Sequence, residues 1–211
     1  MWIYLVRHAQ SEANAGILGA PIDCELTPLG RRQAEATGEW LVRATLDVIL
    51  ASPYIRALES ASAIHRATGV PFEAYPPIHE HHIEPFPTVW PLLGRDALTT
   101  RFPHLHVPDE FIDTGWHNPP ETDAMTLARM GRALDLIRAR FASDPEHDFR
   151  RICLVSHGSP TGKMIMAFQG ITTIEADIRI ENASISVLQD VPGKRIVWGT
   201  NWVDHLPERT W

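Results

Sequence analysis

Two histidines stand directly after short apolar runs. Residues 2–6 (WIYLV) run into Arg7-His8, and residues 152–155 (ICLV) run into Ser156-His157-Gly158. A third run, residues 47–51 (DVILA), ends at Ser52-Pro53, with Arg56 four residues after Ser52. If the three runs are neighbouring strands of one sheet, their ends share a rim, and in open α/β sheets ligands bind outside the carboxyl ends of the strands. That rim then holds two arginines and two histidines. Guanidinium forks match phosphate oxygens two at a time, and a neutral imidazole is a nucleophile for phosphorus. Arg56 falls in the first turn of a helix, where free backbone N–H groups and the positive end of the dipole also suit an oxyanion. A neutral His8 attacking phosphorus, with cations neutralising the equatorial oxygens, needs no metal. It does need a proton donor for the leaving oxygen. Glu80 and Glu84 are the nearest carboxyls.

The elements that must position these residues alternate. The three runs are apolar enough to be strands buried on both faces. Thr27 caps a helix with Pro28 at its first position, running on through Gln33, Ala34 and Leu41. Ser52 and Pro53 repeat that arrangement ahead of a helix over 55–67. Residues 161–168 form a compact apolar helix that Gly170 can end. Leu127, Met130, Leu134, Ile137 and Phe141 recur at helical spacing over 126–141. Residues 185–191 and 195–200 flank Pro192-Gly193 as a hairpin. The expected fold is one α/β domain over 1–211, three-layer α/β/α with a mostly parallel central sheet and a C-terminal β-hairpin. Residues 76–121 break the pattern. They hold nine of the 17 prolines and several histidines with little periodicity, and read as a lid-like insertion over the active rim.

The chain has 211 residues, enough for one sizeable core, and a formal charge of −7. A net negative surface argues against nucleic acid and anionic membranes, so cations for phosphate must be gathered locally. Cys24 and Cys153 cannot make a disulfide framework. The start lacks a charged n-region and a long apolar h-region, and no run is long enough to cross a bilayer. A cytoplasmic, soluble protein is expected.

The motifs add to this reading. Residues 5–14 (LVRHAQSEAN) resemble the Arg-His-Gly signature, with its following Ser/Thr and Asn, of the histidine phosphatase superfamily, phosphoglycerate-mutase-like branch. Residues 26–30 (LTPLG) with Gln33-Ala34 resemble the next block of that family. Residues 52–57 (SPYIRA) with Ser60-Ala61 resemble the third, where the family usually has Thr for Ser60. Residues 155–158 (VSHG) resemble the last catalytic block, and Asn182 with Ser184 the asparagine-bearing segment before the final strands. The blocks come in family order over most of the chain.

The resemblance implies that His8 becomes a phosphohistidine and that Arg7, Arg56 and His157 form the phosphate pocket. It places Asn14, Ser11 and Gly158 against the substrate and Glu80 as the acid/base, with Glu84 at a more variable acidic position. The implied activity is hydrolysis of a small phosphate monoester, without metal or cofactor. Relatives are often dimers, so a homodimer belongs to the same expectation. Ala9 replaces the usual Gly and would be strained at positive φ. The mutase Arg-His-Tyr-Gly run after the glutamate and the arginine-rich mutase insertion are missing, which favours water over a second hydroxyl as acceptor. A mutase-type phosphotransferase and a catalytically silent phosphate-binding module are the alternatives.

His79, His81, His82, His104 and His106 read as pocket lining or solvated loop residues ahead of a metal site. Trp90, Trp116 and Phe86 read equally as a lid or as the insertion's own core. Glu121 and Thr122 sit where relatives carry a Gly-Glu-Ser-like segment near the phosphate, and Cys24 is read as an ordinary loop cysteine.

Overall fold

The computed structural model of the protein describes residues 1–82, 92–109, 111, 120–141 and 150–211. Glu84, Phe86, Trp90 and Trp116 lie outside the described residues. The strands are β1 (Trp2–Arg7), β2 (Val48–Ala51), β3 (Phe72–Ala74), β4 (Leu105–His106), β5 (Arg151–Ser156), β6 (Ile185–Val191) and β7 (Lys194–Trp202). The helices are α1 (Pro28–Leu41), α2 (Ile55–Thr68), α3 (Arg95–Arg101), α4 (Asp123–Phe141) and α5 (Gly158–Phe168). The strands form one sheet in the order β4-β3-β2-β5-β1-β6-β7. From β4 to β1 the pairing is parallel, and β6 and β7 add an antiparallel edge. No described helix is long and apolar enough to cross a membrane.

Alternate residues of each central strand enter opposite cores, as a pleat requires. Val6, Ile49, Ala51, Cys153 and Val155 pack with α1 and α2, whereas Ile3, Leu5, Leu50, Ile152 and Leu154 pack with α4 and α5. This two-sided burial is why the strands read as unbroken apolar runs, and it makes the three layers. Register then aligns the strand ends, with Arg7 opposite Ser156 and Ala51 opposite Val155.

Local expectations were met unevenly. Thr27 caps α1, its hydroxyl accepting from Gly30 N–H at 3.0 Å. The hairpin turns on Pro192-Gly193, Gly193 having φ 74°. Ser52 does not cap α2. That helix starts at Ile55, whose N–H is taken by the Asp23 carboxylate at 2.7 Å, while the Ser52 hydroxyl is engaged by His157. Nor is the 76–121 segment wholly a lid: it supplies α3 and the edge strand β4, and Leu98, Phe102, Leu105 and Val107 enter the core beside α2. Ala9 is unstrained, since it is absent from the positive-φ residues.

The segment after β1 is seated on the start of α1. Gln10 N–H donates to Gln33 Oε1 at 2.9 Å, and Gln10 O accepts from Thr27 N–H at 3.0 Å. Gly30 makes that seat possible, because a Cβ there would overlap the Gln10 carbonyl oxygen. Ala exceeds Gly in helix propensity by about 1 kcal/mol, but here the overlap with backbone decides the sign. Gly30→Ala is expected to destabilise the fold by about 1–3 kcal/mol, read as a lower urea midpoint; an unchanged or raised midpoint would show that α1 can slide off the Gln10 backbone.

Candidate active site

His8 is locked before it does any chemistry. Its N–H donates to Ser156 O at 2.8 Å, and its carbonyl accepts from Ala183 N at 3.1 Å and Asn182 Nδ2 at 3.3 Å. Ala9 N–H donates to the Ser60 hydroxyl at 3.1 Å, so the serine found where the family usually has threonine still ties β1 to α2. The imidazole is buried, with Nδ1 at 2.7 Å from Ala9 O. A carbonyl oxygen only accepts, so the proton sits on Nδ1 and Nε2 keeps a lone pair. Arg56 Nε approaches that Nε2 at 3.3 Å.

The other groups surround His8. Arg56 lies over the Tyr54 ring at 4.5 Å and donates to Ile22 O at 2.9 Å. His157 meets both His8 and Tyr54 edge-on, at 5.1 Å in each case. Its Nε2 is 2.7 Å from the Ser52 hydroxyl and its Nδ1 is 3.4 Å from Glu80 Oε2. A hydroxyl that donates to Nε2 leaves the proton on Nδ1, facing the carboxylate. Arg7 donates to Ile180 O, and its guanidinium lies beside Gly158, the first residue of α5, where a Cβ would be in ordinary contact with Arg7 Nε at 3.4 Å. Arg7 Nε and His157 Nδ1 are buried and make no hydrogen bond among the described residues, although Glu80 Oε2 lies 3.4 Å from Nδ1. Buried donors are normally matched, and an oxyanion is the ligand that would match these.

Glu80 brings a carboxylate among these cations, with Oε2 also 3.6 Å from Arg56 Nη2 and Oε1 accepting from His81 N–H at 2.8 Å. Asn14 Oδ1 accepts from Ser11 N, Ser11 Oγ and Asn182 Nδ2 at 3.2, 2.9 and 3.1 Å, which fixes its amide. Ser11 is thereby a tether for Asn14. Thr122 turns away from the pocket, its hydroxyl accepting from Met125 N–H at the start of α4. Glu121 also points elsewhere, into a pair with Arg129.

His8, Glu80 and His157 are the set of three possible metal ligands that comes together among the described residues, within 4.8 Å of one another. Arg7 and Arg56 beside them oppose a dication and favour an anion. The histidine cluster of 79–106 does not converge: His81 is spent on Ser159 Oγ and Glu121 O, and His104 packs at a tilt against His65, with ring centres 5.3 Å apart.

Burial, reinforced by Arg56 and Arg7, holds His8 and His157 well below the ordinary histidine range, so both are neutral at neutral pH. Burial lowers Arg7 to about 10, still charged.

The sequence matches the model of the histidine phosphatase superfamily, branch 1, over residues 3–202. The chain belongs to this family. As a histidine phosphatase it is 43% identical over 68 residues to a putative phosphoserine phosphatase 2 of Hydrogenobacter thermophilus, a match covering 32% of this chain and 34% of that one. It is 26% identical over 216 residues to phosphoserine phosphatase 1 of the same organism, covering 98% and 94%. The match to the first of these relatives therefore spans about a third of its length. The solved structure of Bacillus stearothermophilus YhfR shares the fold, with a TM-score of 0.69 at 20% identity over 97% and 98% of the two chains.

Sequence reading missed Asp23 and Arg129 in this histidine phosphatase. Asp23 reaches α2 across 32 residues, and burial raises it to about 6. Nothing local marks it except a short polar side chain in a turn. Arg129 breaks the apolar stripe of α4, and that interruption was its only signal.

The buried histidines set a pH dependence. His8, His157 and His79, the last lowered by burial to about 4, have folded values below the unfolded value of 6.5. Their contribution is present above about 6.5 and is lost as pH falls below it, by roughly 1–1.5 kcal/mol per group per pH unit. Asp23 opposes them, because its raised value favours the folded state as pH falls below about 6. Three groups outweigh one, so the thermal midpoint is expected to be lower at pH 5 than at pH 7; an equal or higher midpoint at pH 5 would mean that these imidazoles are charged in the fold.

Proposed function

We propose that the protein hydrolyses small phosphate monoesters through a phosphohistidine on His8. The observation that carries this reading is the pair of buried nitrogens without a hydrogen bond, Arg7 Nε and His157 Nδ1, flanking an imidazole whose Nε2 keeps its lone pair, which a substrate would have to win from the long 3.3 Å hydrogen bond of Arg56 Nε. The substrate phosphoryl group lies among Arg7, Arg56 and His157, with the Asn14 amide and the first-turn N–H groups of α5 at Gly158 as further donors. His8 Nε2 forms a bond to phosphorus as the ester P–O bond breaks, and Glu80, in its acid form, gives its proton to the leaving oxygen. Glu80, now a carboxylate, takes a proton from water; the water oxygen bonds to phosphorus, the P–N bond breaks and phosphate leaves. Charge on the equatorial oxygens is met by the guanidinium groups throughout, so the residues supply both steps without a metal.

The leaving alcohol has a place beside Arg7. A bay of about 460 Å³ there is lined by Lys163, Arg179, Asp123 and Asp177, with Ser159 and Trp211 at its sides. Lys163 Nζ is buried against Asp123 at 2.5 Å and Ser159 Oγ at 2.8 Å. A wall carrying both signs of charge fits a zwitterionic alcohol, and the two Hydrogenobacter relatives are named for phosphoserine. An O-phosphorylated amino acid is the substrate class this supports.

Wild type is expected to turn over p-nitrophenyl phosphate in EDTA, and His8→Ala to lose about 1,000-fold or more of that rate with its fold intact. A trapped phosphoenzyme, acid-labile and absent from His8→Ala, is the direct check. Near-normal turnover by His8→Ala, or activity abolished by EDTA, would sink the reading. Glu80→Gln should cost an alkyl phosphate such as phosphoserine about 100-fold and nitrophenyl phosphate far less, because nitrophenolate leaves without a proton; equal losses would remove Glu80 as the donor.

A further inference from the structure

Glu80 sits on a segment with little regular structure of its own, following the 3-10 turn Pro76–Ile78. Its aim toward His157 has to be imposed from outside. Ser156 Oγ holds the Ile78 carbonyl at 2.8 Å and Ser159 Oγ lies 3.2 Å from His81 Nδ1, and a buried ion pair holds the segment on both sides of Glu80. Arg129, on α4, gives Nε and Nη2 to the Glu121 carboxylate at 2.8 and 2.7 Å, and Nη1 to two carbonyls, Pro77 O at 2.8 Å and His79 O at 3.2 Å. Glu121 holds the other side of the same segment. Its N–H donates to His82 O at 2.8 Å, and its carbonyl accepts from His81 Nε2, also at 2.8 Å. The peptide before Glu80 is therefore pinned by Arg129 and the two residues after it by Glu121. Thr126 adds a hydroxyl to the Glu121 carboxylate at 3.1 Å.

We propose that Arg129 and Glu121 are positioning residues for the proton donor: their buried pair fixes the 77–82 backbone so that the Glu80 carboxylate is held beside His8 and His157. Neither reaches the substrate. A lysine at 129 would keep the charge but not the planar fork, which is what serves a carboxylate and two carbonyls at once. The specific consequence is chemical: a displaced Glu80 fails as an acid while His8 and the phosphate pocket stay intact. A pair that served stability alone would affect all substrates alike.

The inference rests on the phosphohistidine reading, and the experiment separates the two. Arg129→Lys and Glu121→Gln are compared with wild type on phosphoserine and on p-nitrophenyl phosphate, with folding checked by circular dichroism. The expected result is a loss in kcat of about 10-fold or more on phosphoserine and less than about 3-fold on the nitrophenyl ester, the selectivity of a mispositioned general acid. In Glu80→Gln/Arg129→Lys the second change should cost no further phosphoserine activity, since both act through one carboxylate. Equal losses on both substrates, or additive losses in the double variant, would overturn the positioning role. Glu121→Gln keeps the side-chain shape and decides the question if Arg129→Lys does not fold. Absence of turnover by wild type on either ester would instead bring down the phosphatase reading, and the positioning role with it.

Discussion

Everything at the active rim follows from crowding positive charge into a buried space in a protein of net charge −7. Burial keeps the two imidazoles neutral, and the positive charge of Arg56 and Arg7 pushes them the same way. Neutrality is also what a nucleophile for phosphorus needs. The electrostatic load that would make the pocket uncomfortable without an anion thus also keeps His8 in the form that the proposed reaction uses. Glu80 relieves part of that load, lying within 3.6 Å of both Arg56 and His157.

Crowding of this kind requires a rigid backbone, and parallel pairing provides it. The carboxyl ends of β2, β5 and β1 stand side by side, so Ser52, His157 and His8 follow from adjacent strands at matched heights. The cation anchors are carbonyl oxygens on separate segments: Ile22 O for Arg56 and Ile180 O for Arg7. Arg7 thereby spends one nitrogen on the scaffold and keeps Nε for a ligand, whereas Arg56 also gives Nε to His8 and faces Glu80 with Nη2. The same economy appears at Asn14, whose oxygen is consumed by Ser11 and Asn182 and whose amide nitrogen then faces a fixed direction.

How much of this was legible in the sequence depended on the range of the interaction that fixed each residue. The central strands were readable because burial on both faces leaves an unbroken apolar run, as at residues 152–155. The Thr27-Pro28 start was readable because its cap closes within three residues. Ser52-Pro53 has the same local look and misled, since His157, far along the chain, competes for the serine hydroxyl and Asp23 supplies the cap instead. Strand β4 has two residues and α3 seven, too short for a period to show, so core-forming chain was read as lid. The candidate site residues stood out because their spacing from strand ends is local; the residues that hold them did not, because Arg129 acts across about 50 residues on backbone oxygens that leave no mark in the sequence.

The two halves of the site are therefore held by different physics. His8, Arg7 and His157 belong to the sheet, where neighbouring strands over-determine each position. Glu80 belongs to a connecting segment, braced on both sides by an ion pair whose members are Glu121, just before α4, and Arg129, in that helix's second turn. Breaking one partner of a buried pair strands the other's charge, a far larger penalty than losing a surface contact. That asymmetry suits the proposed chemistry, in which the nucleophile and phosphate pocket would stay in place through both steps while the glutamate would face the leaving oxygen first and water afterwards. A donor on a braced segment, outside the sheet, can serve both while its carboxylate pivots on a fixed backbone.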